Sequence, residues 1–242
     1  MSTAGILIIG NEILSGKVQD ENAPYLLREL RSQGVDVLRV VTIPDEVDLI
    51  ASDVQAFSRQ FDYVLTSGGV GPTHDDVTML GVANGLGRKL VQDARMRTLL
   101  ENALHGREAN ESHLKMTVLP EGSELIETPD LWFPLVRVEN VFVFPGIPSL
   151  LRAKFEGSRT RFEGSPVFLR RVYVTCIETD VALDLQELLD GFPELMLGSY
   201  PQFGEDGYRT LVTLESRDEG YLRRAVDALL ARIPTDYVLR VE

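Results

Sequence analysis

The feature that most restricts the possible folds is an alternation of two hydrophobic periods. "AGILIIG" (residues 4–10) is an unbroken apolar run, as expected of a strand covered on both faces. Ala23, Leu26, Leu27 and Leu30 follow at i, i+3, i+4 and i+7, one stripe of a helix, and Gly34 suits its C-terminal cap. "VDVLRVVTI" (35–43) predicts a second strand. Val47, Ile50, Val54 and Phe57 predict a second helix, with Asp45 placed to cap its start. "DYVLT" (62–66) predicts a third strand, and Met79, Val82, Ala83 and Leu86 a third helix. This pattern implies an α/β fold, a doubly wound and mostly parallel sheet with helices on both faces. In such sheets ligands bind beyond the carboxyl ends of the strands, and the loops at Gly10, Pro44 and Ser67 all fall there.

Residues 93–120 read as helical and polar, with "HGREANESH" (105–113) as a loop. "FPLVRVENVFVFPG" predicts a hairpin turning near Glu139 and Asn140, and Pro148 suits the first turn of a following helix. "GSRTRFEGSP" (157–166) has the composition of a linker. Beyond it the order is strand, helix, strand, strand, helix, closed by "YVLRVE" as an edge strand, which fits a small α+β split-βαβ domain. The expected domains are therefore residues 1–160 and 165–242.

The chain has 24 basic and 37 acidic residues, a net charge of −13, which argues against sequence-independent nucleic-acid binding. Cys176 is the single cysteine, so an intramolecular disulfide and a CxxC zinc site are both excluded. The N-terminus lacks the basic region of a signal peptide and no stretch has membrane-span length, so a cytoplasmic protein without membrane association is expected. GxSxG, GxGxxG and GxxxxGK[ST] are absent, and His74, His105 and His113 show no HxxxH spacing.

The chemistry concentrates in "LTSGGVGPTHDD" (65–76). Gly68, Gly69 and Gly71 after a strand let the backbone turn sharply and aim N–H groups outward. The following helix adds about 0.3–1 kcal/mol of attraction for an anion. Ser67, Thr73 and Thr78 supply hydroxyls around Pro72. This arrangement suits a phosphate, yet Asp75 and Asp76 would repel one unless a hard cation lies between them. Mg²⁺-like ions bind through one or two carboxylates plus substrate phosphates. Glu12 after the first strand and Asp45 after the second are further candidate ligands for such a cation. Helix capping by an aspartate and a plain glycine turn are the alternatives. Lys115 is a candidate for substrate charge, and Pro145 and Gly146 in "FPGIP" for a rigid wall of the site. A metal held in this way activates water and neutralises a phosphate oxygen, the requirements for cleaving a pyrophosphate.

"GNEILSG", "GGVGPTHDDVT" and "FPGIP", in that order, resemble the molybdopterin-binding family found in molybdenum-cofactor biosynthesis proteins and in CinA. Within it the chain is most similar to the molybdopterin-binding-like N-terminal domain of eukaryotic FAD synthase, over nearly its whole length. The resemblance implies a divalent metal (Mg²⁺, Co²⁺ or Mn²⁺) and hydrolysis of FAD to FMN and AMP, or of a related dinucleotide such as ADP-ribose. By motif it assigns acidic roles to Glu12, Asp45, Asp75 and Asp76, and a phosphate-facing loop to Gly68, Gly69 and Gly71. It also implies self-association into a homo-oligomer. Where CinA-like relatives carry "GTAPG" this chain has "PDLWFPLVRVEN", which favours the FAD-synthase-like branch. The sequence has no room for the FAD-synthesising or amidohydrolase domains of these relatives, so neither of those activities is expected of it. The competing expectation is a non-catalytic binder of molybdopterin or a nucleotide, and a third is an oligomerisation scaffold.

Overall fold

The computed structural model describes residues 1–129, 131–204 and 207–242; Asp130, in the segment that departs from the CinA-like pattern, lies outside them. The chain forms two compact units, Met1–Ser165 and Pro166–Glu242. The first runs through β1 (Thr3–Ile9), α1 (Asn11–Leu14), α2 (Asn22–Ser32), β2 (Asp36–Ile43), α3 (Val47–Gln60), β3 (Tyr63–Ser67), α4 (Thr78–Gly85), β4 (Leu90–Gln92), α5 (Ala94–Leu104), α6 (Glu111–Lys115), β5 (Val118–Pro120), β6 (Glu124–Thr128), β7 (Leu131–Val138), β8 (Val141–Phe144) and α7 (Pro148–Ser158).

Six of these strands form one sheet in the order β2-β1-β3-β8-β7-β6. The four strands β2, β1, β3 and β8 are mutually parallel, β7 runs antiparallel to β8, and β6 runs antiparallel to β7. β4 and β5 form a separate antiparallel pair. The apolar runs stay buried because successive side chains enter opposite cores. Ile6, Ile8, Leu65, Phe142 and Phe144 pack with Leu26, Leu30, Leu151 and Phe155 of α2 and α7. Leu7, Ile9, Val64, Val141 and Val143 pack with Ile50, Val54 and Phe57 of α3, Val82 of α4 and Met96 of α5. The doubly wound α/β architecture is thus the one expected.

Three local expectations change. Asp45 does not cap α3; the residue at that position is Glu46, and the Asp45 carboxylate instead accepts the Asn11 backbone N–H at 2.8 Å. Residues 105–113 are not all loop, because Asn110 and His113 cap one another and start α6 at Glu111. The segment 157–166 is not a free linker. Phe162 is 1% exposed and its ring stacks on Phe155 at 5.2 Å, so the segment belongs to the first core up to Ser165.

The second unit runs through β9 (Phe168–Val174), α8 (Glu178–Gly191), β10 (Met196–Pro201), β11 (Thr210–Ser216), α9 (Glu219–Arg232) and β12 (Val238–Val241). Its antiparallel sheet has the order β10-β11-β9-β12, the split arrangement that the element order predicts. Cys176, just past β9, is buried in this core, and burial pushes its thiol pKa up, which suits packing rather than nucleophilic attack. Among the described residues no helix is long and apolar enough to cross a membrane.

Candidate functional site

The carboxyl ends of β1, β3 and β8 meet at the glycine-rich turn. Gly68 is where the geometry is strictest. Its φ is +111°, and a Cβ there would lie 2.0 Å from the Ile9 carbonyl oxygen, so only glycine lets β3 leave the sheet this close to β1. Gly69 continues with φ +64°. The Thr78 hydroxyl donates to the Gly68 carbonyl at 2.8 Å and the Thr78 N–H to the Gly69 carbonyl at 3.0 Å, which pins the turn to the start of α4. The N–H groups of Gly69, Val70 and Gly71 have no hydrogen-bond partner among the described residues. Three successive donors of this kind on one turn are what an anion-binding turn requires.

Two cavities open against this turn. The smaller, about 320 Å³, includes His74, Leu90 and Lys115 in its wall. The larger, about 560 Å³, includes Glu12, Val18, Trp132, Ile147, Leu150 and Lys154. Gly69, Val70, Gly71, Asp76, Met116 and Phe133 belong to both walls. Gly68, Pro72, Pro145 and Gly146 line the larger cavity only. Pro145 and Gly146 of "FPGIP" thus stand in the wall of the larger cavity, and a Cβ on Gly146 would stand 3.3 Å from the Gly68 Cα.

Other expected ligand-facing groups bond to the protein itself. The Ser67 side chain is buried, accepts from the Asn22 amide at 2.9 Å and donates to the Pro145 carbonyl at 3.4 Å. Thr78 is fully buried on the Gly68 carbonyl. The Thr73 hydroxyl and N–H both donate to Asp76. Gly10 donates to the Ile43 carbonyl at 3.1 Å and lies under the Glu12 carboxylate. These four residues line neither cavity; Gly10, Ser67 and Thr78 are buried, and Thr73 is exposed.

The four acidic candidates are not gathered into one cluster; among the described residues no group of three or more His, Cys, Asp or Glu side chains is set to hold a metal ion. Asp76 Oδ2 takes both Thr73 bonds, and Oδ1, beside Gly71, has no partner among the described residues. Asp45 Oδ2 takes the Asn11 N–H, and Oδ1 faces Gly69, 3.4 Å from where a Cβ would sit. Glu12 lines the larger cavity. Asp75 is exposed, lies 3.9 Å from His74 Nδ1 and lines neither cavity. Asp76 and Glu12 line the larger cavity and the Asp45 carboxylate stands near Gly69, so oxygen donors lie near the turn without converging three at a time. This fits an Mg²⁺-like ion that takes few protein ligands and completes its shell with water and phosphate. The Lys115 ammonium donates to the Thr73 carbonyl, on the same loop as Asp76.

Sequence reasoning did not single out two residues. Asn22 joins Ser67 to the Gly146 carbonyl, and its place at the start of a helix reads as ordinary capping. Lys154 occupies the apolar stripe of α7 with Leu151, Phe155 and Ser158, and a lysine at such a position is the signal that marks it.

The family described as "Probable molybdopterin binding domain" matches residues 5–159, and the one described as "FAD synthase, middle domain" matches residues 166–242. A protein of Archaeoglobus fulgidus is 36% identical over 221 residues, covering 91% of this chain and 93% of its own. The probable FAD synthase of Caenorhabditis elegans is 31% identical over 256 residues, 94% of this chain but 49% of its own, so the chain spans about half the length of that relative. The solved structure of CinA from Thermoplasma acidophilum, titled as of unknown function, superposes with a TM-score of 0.62 at 27% identity, over 67% of this chain and 99% of that one. The chain therefore belongs to the molybdopterin-binding domain family.

Proposed function

We propose that this chain is a divalent-metal-dependent pyrophosphatase that hydrolyses FAD, or a related ADP-containing dinucleotide such as ADP-ribose. The observation that carries the reading is the wall shared by the two cavities, with its three unpaired N–H groups from Gly69 to Gly71. A dinucleotide has the same plan: two bulky ends joined by a pyrophosphate. The turn cradles the pyrophosphate, and each cavity receives one end. Asp76, with Asp45 or Glu12, would hold such a cation, its remaining ligands coming from water and phosphate, since no three carboxylates converge among the described residues. When bound, the cation supplies charge neutralisation at phosphate oxygen and an acidified water. In the overall reaction one water adds across the pyrophosphate: its oxygen bonds to one phosphorus, the bridging P–O bond breaks, and its protons go to the two phosphate products or to solvent, giving two monophosphates, FMN and AMP in the case of FAD. Thr73 orients Asp76 through two hydrogen bonds, and Lys115 balances charge on the departing phosphate from the smaller cavity. The test is incubation of the purified chain with FAD, ADP-ribose and NAD, each with Mg²⁺, Co²⁺ and Mn²⁺. FMN and AMP from FAD support the reading, and no product from any pair rejects it.

A second reading, a binder of molybdopterin or a nucleotide without turnover, is favoured by the scatter of the carboxylates, since no three converge among the described residues. Saturable pterin binding without hydrolysis of any dinucleotide selects it.

A further inference from the structure

Among the described residues, Lys154 is the one charged side chain that is less than a tenth exposed, at 3%. Its ammonium donates to the Phe133 carbonyl and stands 5.2 Å from the centroid of the Phe133 ring. No described carboxylate forms an ion pair with it, although Glu12 and Asp76 line the same cavity. Burial alone pushes its pKa down to about 8. An ammonium has three donors, and a buried one held by a single carbonyl is short of acceptors.

The cavity that Lys154 lines says what kind of acceptor is missing. Trp132 and Phe133 meet edge to face at 5.5 Å, and Val18, Ile147 and Leu150 add an aliphatic wall. Such a surface suits a flat ring. A purely apolar ring would leave the ammonium unsatisfied, and a phosphate already finds its donors on the Gly69–Gly71 turn. A heterocycle that presents an apolar face to the aromatic wall and carbonyl oxygens along one edge meets both demands. We infer that Lys154 binds the carbonyl-bearing edge of a flat heterocyclic ring, of the pteridine or flavin kind, seated in the larger cavity beside Trp132 and Phe133. This rests on the reading above that the larger cavity receives one end of the ligand, but not on hydrolysis.

The test uses riboflavin, which has the ring and no phosphate, and inorganic pyrophosphate with Mg²⁺, which has no ring. Riboflavin is titrated by its fluorescence and pyrophosphate by calorimetry, against the whole chain and its K154M and K154R variants. Loss of a hydrogen bond from a charged group corresponds to about a tenfold or larger weakening. Riboflavin affinity should therefore fall at least about tenfold in K154M and be largely kept in K154R, while pyrophosphate affinity changes less than about twofold. The inference is overturned if the wild-type chain does not bind riboflavin, if K154M binds it equally well, or if pyrophosphate loses affinity in parallel. A thermal melt of K154M confirms that the comparison is between folded proteins. Failure of FAD hydrolysis alone would leave the ring-binding result standing, so the two readings fail separately.

Discussion

The Asn22 side-chain amide donates to the Gly146 carbonyl oxygen at 2.7 Å, across 124 positions of sequence, and to the Ser67 hydroxyl at 2.9 Å. One buried amide thus ties the start of α2 to the ends of β3 and β8, the strands that deliver the glycine turn and the "FPG" wall. Asn22→Ala removes both bonds and leaves the Gly146 carbonyl without that donor. The expected loss is about 2 kcal/mol in urea unfolding of the first unit, with weaker ligand binding because the wall is no longer fixed. Unchanged stability and binding would show that the amide holds nothing.

Gly68→Ala should be more damaging. The added Cβ meets the Ile9 carbonyl oxygen at 2.0 Å and forces a side chain into φ +111°. Backbone displacement at two parallel strands plus the conformational penalty should destabilise by about 3 kcal/mol or more. The melting temperature of the purified variant reads this directly, and a wild-type value would mean that the turn adapts freely.

Lys154 gives stability a pH dependence with a definite sign. Its folded pKa, about 8, lies below its ordinary 10.5, so between these values the unfolded chain binds more protons than the folded one. Stability from this group therefore rises as pH increases through that window. Below about pH 8 the fold carries the full burden of a buried cation, on the order of 3 kcal/mol. Lys154→Met should be more stable than wild type at pH 7 and should lack the rise between pH 8 and 10.5. Parallel urea curves for the two proteins across that range would contradict this.

Much of the fold is legible because unbroken runs such as Ile6–Ile9 have to be buried on both faces, and only a covered parallel sheet buries them so. The turn at 68–71 is legible for a related reason, since glycines at the end of a strand rarely have another use. What the pattern does not reveal is the direction of individual polar groups. Ser67 and Thr78 read as ligand donors but bond backward to Pro145 and Gly68. Asp45 reads as a helix cap but reaches Asn11, 34 positions earlier. Asn22 is conspicuous only through a partner on another element, at Gly146, whereas Lys154 is marked locally by its place in the apolar stripe of α7, although its partner at Phe133 is not. Local periodicity carries no information about such long-range pairs.

The carboxylate that touches both cavities is Asp76, so the central claim rests on it. The decisive measurement is FMN and AMP release from FAD by chelator-stripped protein, before and after adding Mg²⁺ or Co²⁺, for the wild-type chain and Asp76→Asn. The account predicts no release without metal and equimolar FMN and AMP with it. It also predicts a loss of at least about 100-fold in the variant, which keeps the shape of the side chain but not its charge. Metal-independent release, no release with any metal, or an Asp76→Asn variant as active as wild type would contradict it.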